Sequence, residues 1–368
     1  MRLLSKQYNN LNIVYINKNH LIHNFNYFDS LYKGISIAPV IKSNAYSHGI
    51  KNVAKILDPL SPPFFIVDSL YEAYILKKEK IKTPILILGY TNHENLKFKK
   101  LNFQFAIYDI QTLHILNKYQ KGVKVHIFID TGMKREGILI EDLPYFIKEM
   151  KKCKNLYYEG LMSHLADADN KTSLYNKKQI EDFKKGELLL NNAGFNFKWK
   201  HISATYGALN IKDNNFNLLR VGLGMYIAPT LKLSKKVKNV LSLKSHVIQI
   251  KNLKKGEMVG YNITYTAKKN IQIALIPLGY YEGVIRSLSN CGVFTIKGVK
   301  CPIIGRISMN LTTIDISRTK NVKVGDEVLV YSDNYKDCNS INNVSNIIKE
   351  IPYTVLTHIN SNIKRESI

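Results

Sequence analysis

The chain is poor in the features that mark several classes of protein. It has only four cysteines in 368 residues, Cys153, Cys291, Cys301 and Cys338, and none forms a CxxC pair or a zinc-type spacing. That excludes a disulfide framework and a cysteine-held zinc site, and leaves free thiols in a reducing cytoplasm as the expectation. No apolar run approaches the length of a membrane span. The opening stretch MRLLSKQYNNLNIVYINKNH has no apolar core of signal-peptide length. No clustered set of His, Cys and carboxylates suggests a metal, and none is expected.

Acidic residues are scarce as well: 28 Asp plus Glu face 53 Lys plus Arg, for a net charge of +25. Such a balance fits nucleic acid or an anionic membrane surface. The basic residues are mostly lysine, however, and they are spread along the whole chain, as in LKKEK, KFKK, KKVK and NLKKGE. There is no Arg-rich cluster, zinc finger or RNA-binding aromatic motif. Scattered lysines form a solvated face, so neither a specific nucleic-acid partner nor a membrane is expected. The abundance of Lys, Asn, Ile and Tyr fits an A/T-biased coding sequence.

What is present is alternation. An apolar content of 45% is ordinary for a globular protein, and 368 residues are too many for one ordinary core. Strand-like runs occur as ISIAPVIK, PFFIVDS, TPILILGY, FQFAIYD, VKVHIFID, YYEGLMSHL, FKWKHIS and NLLRVG. Between them, segments such as IKNVAKIL, SLYEAYILKKEK and NKKQIEDFKKGELLLNN carry apolar residues three and four apart. Eight such units predict an α/β fold, a (β/α)8 TIM-type barrel over residues 12–235. A doubly wound open sheet is the rival, but it does not need eight regular units. From residue 236 to 368 the pattern becomes short alternating strands between Gly and Asn turns, which predicts a C-terminal all-β domain. The N-terminal strand within 1–17 could join either domain.

Chemistry on such a barrel sits at the C-terminal ends of the strands. In this sequence those ends carry Lys42 with Tyr46 just beyond, Arg135, Ser163 and His164, Ser203 and Thr205, and finally Arg220, Gly222 and Leu223. A lysine with phosphate-binding groups and no carboxylate cluster points to a Schiff base with pyridoxal 5'-phosphate. The loops after strands seven and eight are the usual phosphate site of the fold.

The segment VIKSNAYSHG resembles the cofactor-lysine signature of the alanine racemase family. IDTGMKREG, GLMSHLADAD, LLRVGLGMY, VGYNITYTA, IPLGYYEG and IGRISMN resemble later blocks of that family, in the same order and across both domains. The resemblance implies a PLP-binding barrel, a β domain that contributes to the partner's active site, and a head-to-tail homodimer. It implies that Lys42 holds PLP and serves as one of two bases, with Tyr261 of the partner as the other. Tyr46, Thr205, Gly222 and Leu223 would hold the phosphate, with Ser361 aligned on a further phosphate contact. Arg220 would face the ring nitrogen without giving up its proton, and His164 would lie near it. Arg135, Met309, Tyr280 and Asn310 would meet the substrate, with Arg286 lining the same entrance. The activity implied is interconversion of L- and D-alanine for peptidoglycan. Racemisation of another small amino acid, such as serine, is the near alternative, and a non-catalytic PLP-binding barrel is the distant one.

Each of these residues has an ordinary reading too. A lone lysine at a strand end is usually solvated, Tyr261 is one of 23 tyrosines, and Arg220 could be a barrel ion-pair partner. His201 and His246 read as structural, and His48 as local to a helix start. Position in the ordered blocks is what raises Lys42, Tyr261 and Arg220 above that level. The chain also departs from the family pattern. Phe128 stands where members often carry a carbamylated lysine, Asn310 where an aspartate is common, Ala204–Thr205 for Asn–Ser, and Ser361 for a tyrosine.

Overall fold

The structure is a computed structural model that describes residues 9–213 and 215–368; the first eight residues of the N-terminal segment lie outside the described residues. Contacts divide it into two compact units. One comprises Phe25–Ser43 and Ala54–Met225; the other joins the chain up to Asn24, Asn44–Val53 and Tyr226–Ile368.

Strand β1 (Ile13–Ile16) belongs to the second unit. The first unit is built on parallel strands β2 (Ser36–Pro39), β3 (Phe65–Val67), β4 (Ile85–Ile87), β5 (Gln104–Ile107) and β6 (Lys124–Asp130). A two-residue strand β7 (Ile138–Leu139) pairs with β6, and β8 (Tyr157–Met162), β9 (Trp199–His201) and β10 (Leu218–Val221) follow. Neighbours pair in the order β3-β4-β5-β6-β8-β9. Asn217 N–H donates to Lys200 O at 3.1 Å and so joins β10 to β9. β10 pairs in parallel with β2, and the Val40–Ile66 bridge returns β2 to β3. Eight parallel strands thus close into the expected (β/α)8 barrel. Residues of β3, β4 and β5 are buried on both faces, which is why these runs read as continuously apolar rather than alternating.

Several helices start where the sequence offers a capping side chain. Ser69 accepts from Glu72 N–H ahead of Leu70–Lys78, Asp109 from Thr112 N–H ahead of Ile110–Tyr119, and Ser173 from Asn176 N–H ahead of Leu174–Asn192. No helix among the described residues is long and apolar enough to cross a membrane.

The second unit is rich in strands: β11 (Leu241–His246), β12 (Gln249–Leu253), β13 (Met258–Val259), β14 (Tyr265–Thr266), β15 (Ile271–Ile276), β16 (Val293–Ile296), β17 (Val299–Pro302), β18 (Thr312–Asp315), β19 (Glu327–Tyr331) and β20 (Lys364–Ser367). Its largest sheet runs β17-β16-β19-β11-β1-β20. β1 lies antiparallel to β11 and parallel to β20, with Val14 and Ile16 buried and Ile13 and Tyr15 half-buried. The unit also holds two helices, Ile341–Ile348 and Pro352–His358. Ser340 caps the first, and its buried Ile341 and Val344 are three apart, so the local pattern there is helical within a strand-rich region.

Candidate active site

A closed parallel barrel gathers the C-terminal ends of its strands on one rim. Of the residues singled out in the sequence, Lys42, Arg135, His164, Thr205, Arg220, Gly222 and Leu223 all lie there, at or after the ends of β2, β6, β8, β9 and β10. The Lys42 ammonium donates to Asp68 Oδ1 at 2.9 Å, and Asp68 directly follows β3, the neighbouring strand. Their side chains are 37% and 54% exposed, so the amine is open to a ligand. Arg135 is exposed and donates from Nε to Glu136 Oε2 at 2.5 Å. Thr205 is buried, and its hydroxyl oxygen accepts from Gly224 N–H at 3.1 Å, joining the loops after β9 and β10.

Arg220 lies only 3% exposed, yet none of its partners is a carboxylate. Nη1 donates to His201 Nδ1 at 2.8 Å and to His201 O at 3.0 Å. Nη2 donates to Ser163 O at 2.7 Å, to His164 Nδ1 at 2.9 Å and to Ile202 O at 3.2 Å. The ion-pair reading of Arg220 therefore does not hold among the described residues. A guanidinium only donates, so Nδ1 of both His164 and His201 must be an unprotonated acceptor. His201 then carries its proton on Nε2 and donates to His126 Nδ1 at 2.9 Å. His126 in turn donates from Nε2 to Gln104 Oε1 at 3.0 Å. Gly160 makes room for this relay, because a Cβ there would lie 2.2 Å from His126 Nδ1.

Charge and burial keep the relay neutral. Burial, reinforced by Arg220, pushes His126 down to about 3 and drives His201 well below the usual imidazole range. Burial also takes His164 down to about 3, helped by Arg220, Arg135 and Lys42. Arg220 itself falls to about 9 through burial and the nearby Arg135, which leaves it charged at neutral pH. Among the described residues, none of its hydrogen bonds uses Nε–H. A buried cation with neutral acceptors on its two terminal nitrogens and a donor left over suits a ring nitrogen or another uncharged acceptor. His201 and His126 were not read as functional in the sequence, since nothing in their spacing links strands β6 and β9.

The turn after Lys42 is unusual. Ser43, Asn44, Ala45, Tyr46 and Ser47 have φ of 55°, 53°, 53°, 53° and 64°. The five-residue helix Lys42–Tyr46 is therefore left-handed, at a cost of about 1–2 kcal/mol per residue. Local bonds hold it. Gly49 N–H donates to Asn44 O at 2.9 Å, and Ile50 N–H to Asn44 Oδ1 at 2.9 Å. The buried His48 ring sets Nδ1 3.1 Å from Ala45 O and 2.9 Å from Tyr46 O. Burial pushes His48 down to about 4. Asn44, not His48, supports the start of helix Ile50–Leu57, so His48 secures the turn rather than the helix. Strained backbone of this kind persists where the surroundings over-determine it, as at functional sites. Tyr46 packs on Tyr226 with centroids 5.0 Å apart and on Tyr353 at 5.8 Å. Ser361 is exposed on a turn; Tyr353, which the sequence reading did not single out, is one of the two rings that reach Tyr46.

In the strand-rich unit Tyr261 is 67% exposed, on a turn where Gly260, Asn262 and Ile263 all have positive φ. Tyr280 and Met309 are also exposed. Tyr280 N–H donates to Ser308 O and Tyr281 N–H to Met309 O, which ties the two segments together. Asn310 Nδ2 donates to Glu282 Oε1 at 2.7 Å, while Glu282 Oε2 accepts from Gly279 N–H at 2.8 Å. An aspartate at 310 would face that carboxylate at contact distance, and the amide removes the repulsion. Arg286 and Arg306 line one open pocket of about 480 Å³ with Thr264, Ser289 and Asn290. No group of three or more metal-ligating side chains occurs among the described residues.

Two family models match the chain. One, described as alanine racemase, N-terminal domain, covers residues 16–229, and the other, alanine racemase, C-terminal domain, covers 240–367. An alanine racemase of Borreliella burgdorferi is 35% identical over 366 residues, covering 96% of each chain. Alanine racemase 1 of Caldanaerobacter subterraneus subsp. tengcongensis is 33% identical over 355 residues, 94% of this chain and 92% of its own. The solved alanine racemase of Clostridium difficile 630 superposes with a TM-score of 0.91 at 28% identity, covering 98% of this chain and 97% of the other. With both domains matched and relatives at a third identity over nearly its whole length, the chain belongs to the alanine racemase family of isomerases.

Proposed function

We propose that the protein interconverts L- and D-alanine with pyridoxal 5'-phosphate held on Lys42, as a cytoplasmic homodimer that supplies D-alanine for peptidoglycan. The observation that carries this reading is the pairing of an accessible lysine amine with a buried, carboxylate-free Arg220 on one barrel rim. The donor set fits the cofactor. Lys42 offers an amine to the aldehyde, the unused Nε–H of Arg220 suits the ring nitrogen, and Tyr46, Thr205 and the Gly222–Leu223 backbone suit the phosphate. Bound there, the cofactor supplies a conjugated ring that delocalises the electron pair left when the substrate Cα–H bond breaks.

The remaining work falls to this chain's side chains. Arg135 orients the substrate carboxylate, with the backbone at Met309 of the partner subunit. Lys42 Nζ takes or gives the proton on one face of Cα, and the Tyr261 hydroxyl of the partner does so on the other. Two bases on opposite faces are what inversion requires. Arg220 donates a hydrogen bond while keeping its own proton, which restrains the electron sink and limits side reactions. The exposed Tyr261, Tyr280 and Met309 support a second copy as the element that completes the site. Domain boundaries near residue 235 go with this reading: a barrel for the cofactor and a β domain for the partner.

The test is a visible absorbance spectrum of the purified protein, then assay of D-alanine from L-alanine beside serine and other small amino acids. A visible band that borohydride fixes to the Lys42 peptide, with alanine the preferred substrate, is expected. Absence of the band, or trapping on another lysine, would overturn the assignment. Preference for serine would move the substrate but keep the site.

A further inference from the structure

We propose that Arg365 is a positioning residue for two parts of the site at once: it braces the left-handed turn that follows Lys42 and, through Asn360, ties that turn to the segments carrying Tyr280 and Met309. The inference rests on the reading of the turn as the cofactor's and of Tyr280 and Met309 as the part this chain offers to a partner.

Arg365 lies on β20, the edge strand of the largest sheet, opposite Val14 of β1. Its guanidinium donates only to backbone carbonyls among the described residues. Nε donates to Ser47 O at 3.2 Å, Nη1 to Asn360 O at 2.6 Å and to Ile363 O at 2.5 Å, and Nη2 to Ile359 O at 3.4 Å. A planar fork of N–H groups can serve carbonyls of two separate loops together, which a single ammonium cannot match in geometry. Burial lowers Arg365 to about 10, so the fork stays charged at neutral pH. The stem is placed as well. Gly49 has φ of 92°, and a Cβ there would lie 3.3 Å from Arg365 Cγ, so glycine suits both the exit of the turn and the passage of the arginine.

On one side the fork holds the turn. Ser47 is the last of the five consecutive residues with positive φ, and it is buried. The bonds from His48, Gly49 and Ile50 into the turn are local and can be lost together with it. The bond to Ser47 O spans 318 positions and comes from a strand, so it does not move with the turn. Strained backbone persists only where its surroundings over-determine it, and Arg365 supplies that long-range constraint. Asn52 Nδ2 adds to the same tie by donating to Ser367 Oγ at 3.2 Å.

On the other side the fork holds Asn360. That residue donates its N–H to Glu282 O at 3.2 Å and its Nδ2 to Tyr281 O at 3.0 Å. Gly283 approaches the same loop so closely that a Cβ would lie 2.6 Å from Ile359 Cα. Glu282 grips Asn310 and Gly279 through its carboxylate, and Tyr280 and Tyr281 bond to Ser308 and Met309. At Gly279 a Cβ would lie 2.1 Å from Ser308 O, so the two segments are in backbone contact. A continuous run of hydrogen bonds therefore leads from Ser47 to Met309 within one compact unit. In a dimer with shared sites, the turn serves this chain's cofactor and Met309 serves the partner's substrate, so Arg365 joins the two.

The test uses Arg365→Met, which keeps a stem against Gly49 and removes the fork, and Arg365→Ala. Hydrogen exchange of the full-length protein is read by mass spectrometry over residues 43–50, 279–283 and 308–311, with the helix Leu174–Asn192 as reference. In Arg365→Met, exchange should quicken in all three segments and stay native in the reference helix. Pyridoxal 5'-phosphate titrated into the cofactor-stripped variant, followed by the visible band, should show a Kd raised about tenfold, the equivalent of one charged hydrogen bond. Millimolar guanidinium should restore part of that affinity in Arg365→Ala and leave the native protein unchanged, which a merely stabilising side chain would not show. Native exchange at 43–50, quickened exchange there without any change at 279–283 and 308–311, or a native Kd overturns the inference. If Arg365→Met does not fold, the same readings on Arg365→Lys decide: quickened exchange in all three segments supports the inference and native exchange sinks it. A native protein that gives no visible band with the cofactor overturns the functional reading instead, and the exchange pattern still decides whether Arg365 joins the segments.

Discussion

Arg220 Nη1 stands 2.8 Å from Nδ1 of His201, and that contact dictates the tautomers of two buried histidines in a row. His201→Leu keeps volume on β9 but removes the acceptor. It leaves one guanidinium donor without a side-chain partner and His126 Nδ1 without its donor. Hydrogen bonds to charged groups are worth about 1.5–3 kcal/mol, so His201→Leu should lower unfolding free energy by about that much in a urea titration. Native stability in that variant would mean that the relay does not bear on the fold.

The same burial makes stability depend on pH. His48, His126 and His164 are held near 4, 3 and 3 in the folded state, against 6.5 when unfolded. Folded-state values are depressed, so below 6.5 the unfolded chain binds protons that the folded chain refuses. Their contribution is complete above about pH 6.5 and is lost as pH falls from there toward 3–4. Each neutral buried imidazole contributes a slope of up to about 1.4 kcal/mol per pH unit. Unfolding free energy measured between pH 7 and 5 should fall by more than one imidazole accounts for. A flat profile over that window would contradict the neutral, buried assignment.

Tyr261→Phe should leave the visible band intact, because the ring remains and only a largely exposed hydroxyl is lost. Exchange of the Cα proton, followed by NMR in deuterated water, should fall far more for one enantiomer than for the other. Equal losses, or none, would exclude a face-specific base. Mixing Lys42→Ala with Tyr261→Phe subunits separates shared sites from single-chain sites. Activity regained on mixing requires Tyr261 to come from the partner.

The barrel was legible because each strand is a short apolar run and several helices carry their own cap, as at Ser69, Asp109 and Ser173. The rim residues were legible because they end those strands. The relay behind Arg220 was not, because Gln104, His126 and His201 meet only through lateral strand pairing, which single-strand patterns do not encode. Asp68 was hidden for the same reason. It follows one strand and accepts a hydrogen bond from the lysine that follows another, 26 positions earlier. The left-handed turn was hidden differently: Ser43–Ser47 contains no glycine to announce positive φ. The helices at Ile341–Ile348 and Pro352–His358 were masked by the strands around them.

Phe128 is the position where the family pattern often holds a carbamylated lysine, and its surroundings here leave no place for one. The ring is 5% exposed and packs in an apolar cluster with Ala106 and Met162, against Leu88 and Tyr108. Tyr108 meets it edge-on with centroids 6.3 Å apart. The anion that would otherwise hold Arg135 is supplied by its neighbour Glu136. Activity should therefore not respond to added bicarbonate, and mass spectrometry should find no carbamylated lysine. Glu136→Gln removes the charge but keeps the shape, which frees Arg135 without disturbing the Phe128 cluster. It should raise KM for alanine several-fold with a smaller change in kcat, because positioning of the substrate carboxylate is what Arg135 would provide. Phe128→Lys should not repair the loss. It places an ammonium in an apolar cluster and should destabilise the barrel by several kcal/mol, about the cost of burying an unpaired charge. Bicarbonate-dependent activity in the native protein, or an unchanged KM in Glu136→Gln, would show that Glu136 does not take the place of the carbamate.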